Sequence, residues 1–255
     1  MPGRERTLLC VVGSRACTVY GRRNTQSLIA GLAQAPVAIV SGLAMGIDAE
    51  AHKAALEVGL PTVAVLPSSA DDASLYPASN RALAKQILAK GGALLSENKA
   101  PFKAMLHSFA ERNRIMAGMC KATLIVEAGE KSGTLITARL ALDYNREVLA
   151  IPHELGRETG TGINRLLREG ATLVRNSDDI LEALGLAPRT VSGQMQLPTD
   201  LTRAEAALMA ALTGPFVRDE LIERAGLSAQ DTNIALSSLS LRGLIIERLG
   251  KIERV

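Results

Sequence analysis

Six short runs of aliphatic and β-branched residues recur in the first 151 positions: TLLCVV, VAIV, TVAVL, ALLS, TLIVE and EVLAI. None of them alternates apolar with polar residues. A strand that is apolar throughout is buried on both faces, and a helix-length amphipathic stretch separates each run from the next. Those stretches lie near residues 22–34, 48–58, 79–90, 105–119 and 134–144. The pattern predicts an α/β fold with a mostly parallel sheet. Aromatic residues make up only 2% of the chain, so Val, Ile, Leu and Ala must fill the core, which suits such a sheet.

The pattern continues through INRLLREG and ATLVR to a last helix near 178–184 and then stops. GLAPRTVSGQMQLPTD, residues 185–200, has Gly/Pro punctuation and no periodicity, and reads as a linker. Its bounds are set at 187–200, between a first domain at 1–186 and a second at 201–255. In the second domain helical patterns fall at 202–212, 217–225 and 228–241, and two short strands surround Leu249-Gly250-Lys251. Three helices and a hairpin outline a winged helix.

Charge narrows the partners. The net charge of +3 is too small to announce a nucleic-acid partner, so position matters more than total. Residues 199–255 carry seven basic and eight acidic side chains, and the rest of the chain 22 basic and 18 acidic. The third helical pattern of the second domain, SAQDTNIALSSLSLR, has one Asp and one Arg, a poor composition for reading duplex DNA. Its apolar positions, Ile234, Leu236, Leu239 and Leu241, suggest packing within the small domain or a protein contact. The cysteines (Cys10, Cys17, Cys120) are odd in number and form no CxxC pair, and the three histidines form no HExxH. No metal site and no cofactor is expected, and the thiols read as reduced. No secretory signal or membrane-length apolar run is present, so the chain is expected to be cytoplasmic, without a membrane partner.

Ligands of open α/β sheets bind beyond the carboxyl ends of the strands. Four segments there are unusual: GSR (13–15), SGLAMGID (41–48), FAERNR (109–114) and EAGEKSGTLITA (127–138). Glycine at a strand-to-helix turn lets backbone N–H groups approach an anion, and the helix N-terminus adds partial positive charge. Ser14, Ser41, Ser132 and Thr134 offer hydroxyls, and Arg15, Arg112 and Arg114 offer bidentate bonds. Together they read as a phosphate-cradling rim. Each member also has a plainer reading. The glycines turn the chain in any doubly wound fold, Arg112 and Arg114 are solvated helix residues, Phe109 is core, His52 is packed, and Asp48 caps its helix. Glu127 is buried against arginine or backbone donors. No GxxxxGK[ST], GxGxxG or GxSxG is present, which favours binding over chemistry.

In this order and spacing, GSR, SGLAMGIDAEAH, YPASN, FAERNRIMAG and VEAGEKSGTLITARLA resemble the DprA/Smf family of DNA-processing proteins, over about residues 8–175. The resemblance implies an extended Rossmann-like domain, with helices on both faces of its sheet, that binds single-stranded DNA. It implies a non-enzymatic role in natural transformation, protecting incoming DNA and loading a RecA-type recombinase, and a homodimer. Carried over by motif, Gly13, Ser14, Arg15, Ser41, Gly42 and Lys53 line the DNA pocket, and Phe109, Arg112, Asn113, Arg114, Ser132, Gly133 and Thr134 complete it. Pro152-His153 stands where the family often has Pro-Gly, so a nearby turn is expected to change.

Two other functions compete. Phosphoribohydrolases of the LOG type share a Gly-Thr turn but place a catalytic glutamate three residues after the threonine, where this chain has Thr137. A regulator reading duplex DNA through the winged helix would need a more basic third helix.

Overall fold

The computed structural model describes residues 5–187, 201–242, 244–248 and 250–254. These fall into two compact units, divided between 187 and 201. The larger unit is a seven-stranded parallel sheet: β1 (Thr7–Val12), β2 (Val37–Ser41), β3 (Thr62–Val65), β4 (Ala93–Leu95), β5 (Ala122–Ile125), β6 (Glu147–Ala150) and β7 (Thr172–Leu173). Its order is β4-β3-β2-β1-β5-β6-β7. The chain therefore builds outward from β1 in one direction and, after β4, returns to β1's other side to build outward again. The reversal leaves a crevice between the carboxyl ends of β1 and β5, where such sheets bind ligands.

The apolar runs are continuous because both faces of the sheet are covered. Along β1, Leu9 and Val11 enter one core layer and Cys10 and Val12 the other. The first layer is closed by α1 (Val19–Gly31), α2 (Ile47–Glu57) and α7 (Ser177–Ala183), which contribute Leu28, Ile29, Ala51 and Ile180. The second is closed by α4 (Leu106–Met119), α5 (Thr134–Asp143) and α6 (Thr161–Arg168), through Met116, Ala138 and Ile163. A third cluster, with Ala64, Leu66 and Ile87, seats α3 (Arg81–Ala89). Helix α1 starts three residues before the periodicity suggests, because the Thr18 hydroxyl accepts from the Gly21 N–H and caps it.

The smaller unit holds α8 (Arg203–Ala211), α9 (Arg218–Ala225) and α10 (Ala229–Leu241), then an antiparallel pair, β8 (Ile245–Arg248) and β9 (Lys251–Arg254). Leu208, Leu221, Leu236 and Leu239 form its core with Ile245 and Ile252 of the hairpin. Of the four apolar positions on the third helix, Leu236 and Leu239 are buried, whereas Ile234 and Leu241 are exposed. Residues 188–200 of the expected linker, and Leu249 of the expected hairpin turn, lie outside the described residues.

Helix α2 is alanine-rich and largely buried, and packs closely on the sheet and against α1. It carries one fully buried imidazole. His52 Nδ1 is 2.6 Å from Thr62 Oγ1, which donates onward to the Ile39 carbonyl, so Nδ1 carries the proton in that pair. Burial, and secondly the Arg112 charge, hold this imidazole down to about 3 from an ordinary 6.5. The unfolded chain takes up a proton that the folded chain refuses, so stability falls with pH across that window, by at most about 1.4 kcal/mol per pH unit. Asp48 on the same helix is held above the usual carboxylate range, chiefly by burial, and works in the opposite sense at the acid end, where protonation relieves it. Urea midpoints are expected to fall between about pH 7 and about pH 5, and His52→Gln to flatten that slope. An unchanged slope in H52Q would assign the titration to another group.

Candidate nucleic-acid interface

Beyond Val12 the chain turns through residues 13–18 into α1. This turn meets the start of α2 at close quarters: the Ile47 N–H donates to the Ser14 carbonyl at 3.1 Å. A Cβ on Gly13 would lie 2.6 Å from Ile47 Cγ1, and one on Gly46, whose φ is +77°, would overlap the Ser14 carbonyl. Glu127, fully buried at the end of β5, holds the far end of the turn by accepting from the N–H and the hydroxyl of Thr18. Its partners are thus a backbone donor and a hydroxyl. Between these two anchors Arg15 projects into solvent.

Arg15 lies across an aromatic face. Its guanidinium carbon is 4.9 Å from the centroid of Phe109, whose ring meets Tyr76 edge-on at 5.5 Å. Among the described residues Arg15 has no acidic partner. Arg112, one turn further along α4, is the reverse case. Only 5% exposed, it donates from Nη1 to the Val65 carbonyl at 2.6 Å, and Asp48 is its opposite charge. The Asp48 carboxylate accepts from the N–H groups of Gly42 (3.1 Å) and Ala44 (3.4 Å). The plain expectation that Asp48 caps its helix is therefore corrected: it pins the loop before the helix.

These groups surround a cleft of about 370 Å³. Of the residues expected from the sequence, it brings together Gly13, Arg15, Phe109, Arg112, Asn113, Ser132, Gly133 and Thr134. Ser132 accepts from the Thr134 N–H at 3.2 Å and so caps α5 in place of the N-cap glycine. The N–H of Gly133 and the Asn113 amide find no hydrogen-bond partner among the described residues. Gly42 lines a small adjoining depression with Arg15, Phe109 and Arg112. Tyr76 lines it too, a residue absent from the expected set, although its motif YPASN had signalled the region. Thr137 lines the cleft and is buried, and a threonine there cannot do a glutamate's acid–base work.

Four expected members do not face the cleft. Ser41 is fully buried and donates to the Val11 carbonyl at 2.6 Å, so its hydroxyl is spent inside the sheet. Ser14 accepts from the Ala16 N–H and offers its carbonyl to Ile47. Lys53 lies almost two turns into α2 and pairs with Glu50 at 3.0 Å. Arg114 points away and pairs with Glu97 at 2.6 Å. His153 adopts ordinary backbone, with no positive φ, so the turn tolerates it. No group of three or more His, Cys, Asp or Glu among the described residues is placed to hold a metal ion.

The sequence model of the family described as DNA recombination-mediator protein A matches residues 2–185. The chain belongs to that family. Protein Smf of Escherichia coli K12 is 43% identical over 176 residues, which are 69% of this chain and 46% of that protein. The X-ray structure of DNA processing protein A from Streptococcus pneumoniae superposes with a TM-score of 0.65 at 38% identity, covering 69% of this chain and 61% of that one. The Helicobacter pylori DNA processing protein A, a structure described for its single-stranded DNA binding mode, gives 0.63 at 32% identity, covering 71% and 80%. The chain spans about half the length of the first curated relatives it matches. Residues 2–185 of this recombination-mediator family member include the whole cleft.

Gly42 tests the geometry. A Cβ there would overlap the Arg112 guanidinium. Gly42→Ala is expected to cost about 1–3 kcal/mol of stability by overpacking, read from urea unfolding; a neutral effect would show that Arg112 is free to move.

Proposed function

We propose that the cleft binds single-stranded DNA and that the protein acts as a recombination mediator without catalytic turnover. The observation that carries this reading is Arg15: an exposed guanidinium without an acidic partner, laid over Phe109 and facing the amino end of α5. It supplies bidentate charge to a phosphate, while the Gly133 N–H and the helix terminus supply neutral donors. Phe109 and Tyr76 offer rings on which a base can stack without sequence preference. Arg112 acts indirectly, by fixing α4 against β3. Kinship with the Helicobacter pylori protein, whose structure concerns single-stranded DNA binding, supports the same choice of ligand.

Kinship alone supports three further parts of the proposal: loading of a RecA-type recombinase, protection of incoming DNA in transformation, and a homodimer. In this reading residues 1–186 bind the strand, 187–200 link, and 201–255 form a winged helix whose third helix is too poor in cations to grip a duplex. A cytoplasmic setting follows from a DNA partner. No helix among the described residues is long and apolar enough to cross a membrane.

Fluorescence anisotropy with matched single- and double-stranded oligonucleotides across a salt series tests the reading. Single strands are expected to bind more tightly. Arg15→Ala should weaken them by roughly tenfold and reduce the slope of log K against log[salt] by about 0.7, the loss of one phosphate contact. Phe109→Ala should cost about 1–3 kcal/mol in binding with little change of slope. Curves for R15A that overlay the parent's would remove the cleft from consideration.

A further inference from the structure

A second pocket, of about 560 Å³, opens where the β1–α1 turn enters α1, and single-strand binding in the first cleft leaves it unused. Thr18, Val19, Tyr20, Glu127, His153 and Arg157 are among its lining residues. Its chemistry differs from that of the Arg15 cleft. Arg157 is already paired with Glu154 at 2.9 Å, and Glu127 and Glu158 add further carboxylates, so the pocket repels phosphate.

The groups at its floor define what it accepts. The His153 side chain is only 4% exposed. Its Nδ1 lies 2.9 Å from the Ile151 carbonyl, which can only accept, so Nδ1 carries a hydrogen, and in the neutral tautomer that this selects Nε2 is an acceptor. Nε2 has no hydrogen-bond partner. It stands 3.9 Å from Glu127 Oε1, a second acceptor with a lone pair to spare beyond its bond from Thr18. Two buried acceptors thus sit side by side with no donor between them, an arrangement that leaves desolvation uncompensated. At the pocket's edge, the Val19 and Tyr20 N–H groups in the first turn of α1 have no acceptor among the described residues. The Tyr20 ring forms a wall, fixed by its hydroxyl bond to the Pro152 carbonyl (2.7 Å) and by its edge contact with His153 at 5.0 Å.

The complement of donors followed by two adjacent acceptors is an edge with one acceptor followed by two adjacent donors. Guanine has that edge in O6, N1–H and the 2-amino group. Thymine flanks its one N–H with two carbonyls, and adenine and cytosine set a ring acceptor beside their amino group. We propose that this pocket seats a guanine base, with N1–H and the 2-amino group on His153 Nε2 and Glu127 Oε1, and O6 at the first turn of α1. Flat bases read by edge hydrogen bonds beside an aromatic wall are a common mode of recognition. The guanine can come from a free nucleotide or from a strand whose phosphates lie in the first cleft. Arg15 and Thr18 are three residues apart, at most about 11 Å of chain, within reach of a neighbouring nucleotide. Only the strand source rests on the function proposed above.

The test uses the full chain with 15N-labelled histidine, whose three rings include His153. Deoxyguanosine monophosphate is expected to move the His153 Nε2 resonance and leave buried His52 in place. Deoxyinosine monophosphate, which lacks the 2-amino group, should bind roughly tenfold more weakly, the loss of one hydrogen bond. Deoxyadenosine monophosphate should leave His153 unmoved. His153→Leu should abolish the guanine preference; should that variant not fold, the guanine–inosine comparison in the unaltered chain decides. A second arm compares oligo(dT) with the same oligomer carrying one central dG. Movement with free nucleotide and movement only with the strand both support the pocket and identify its source. A His153 ring that ignores both guanine carriers, or answers all three nucleotides alike, overturns the proposal. Failure of oligo(dT) to bind at all would instead count against the first cleft.

Discussion

Arg112 is the side chain on which the arrangement of the cleft depends. A guanidinium only 5% exposed needs its charge met, and here Asp48 supplies the opposite charge while the Val65 carbonyl takes a hydrogen bond from Nη1, leaving Nε without a partner among the described residues. Burial lowers its pKa and raises that of Asp48, so both ions bear a desolvation cost that their mutual attraction and the loop N–H groups partly offset. The consequence is geometric. Helix α4 is fastened to the end of β3 through Val65 and drawn by charge toward Asp48 of α2, and Phe109, three residues earlier on the same helix face, is thereby set beneath Arg15. The exposed arginine that can meet a ligand is positioned by the buried one that cannot.

That division of labour explains how far the sequence could be read. The strands were legible because burial on two faces leaves a one-dimensional trace, and the observed sheet contains all six apolar runs. The rim was partly legible: eight of the expected residues line one cleft. What periodicity and motif order do not encode is where a polar side chain spends its hydrogen bonds. Ser41 and Arg114 are the right residue types at the right end of the sheet, yet one bonds to Val11 and the other to Glu97. Arg112 and Arg114 look equivalent in FAERNR, but two residues along a helix turn through about 200°, which sends one inward and the other to solvent. Tyr76 became a wall only through a contact with Phe109 more than thirty positions away.

The crevice at the reversal of strand order carries two unlike chemistries on either side of one turn. Toward α4 and α5 it presents a cation, a ring and free N–H groups. Toward α1 and the segment after β6 it presents acceptors and carboxylates. Residues 13–18 belong to both sides, and Glu127 ties them down from the second. Glu127, which lines the second pocket, is therefore also the anchor of the turn that carries Arg15, through its two bonds from Thr18.

The glycines of these loops give the last step. A Gly-rich turn at a strand end is usually read as room for a phosphate, but most of this room is taken by protein. Gly13 admits Ile47, Gly42 admits Arg112, Gly46 admits the Ser14 carbonyl, and Gly21, in the first turn of α1, admits the Glu127 carboxyl. Each missing Cβ lets one protein group reach its position, so substitution at these sites disturbs the scaffold before it touches any ligand. Gly133 differs: a Cβ there would meet nothing within 4 Å, and no unusual φ requires glycine. At that position alone among these five, packing supplies no reason for glycine, and the free space lies beside an unbonded N–H at the amino end of a helix, where an anion would be held.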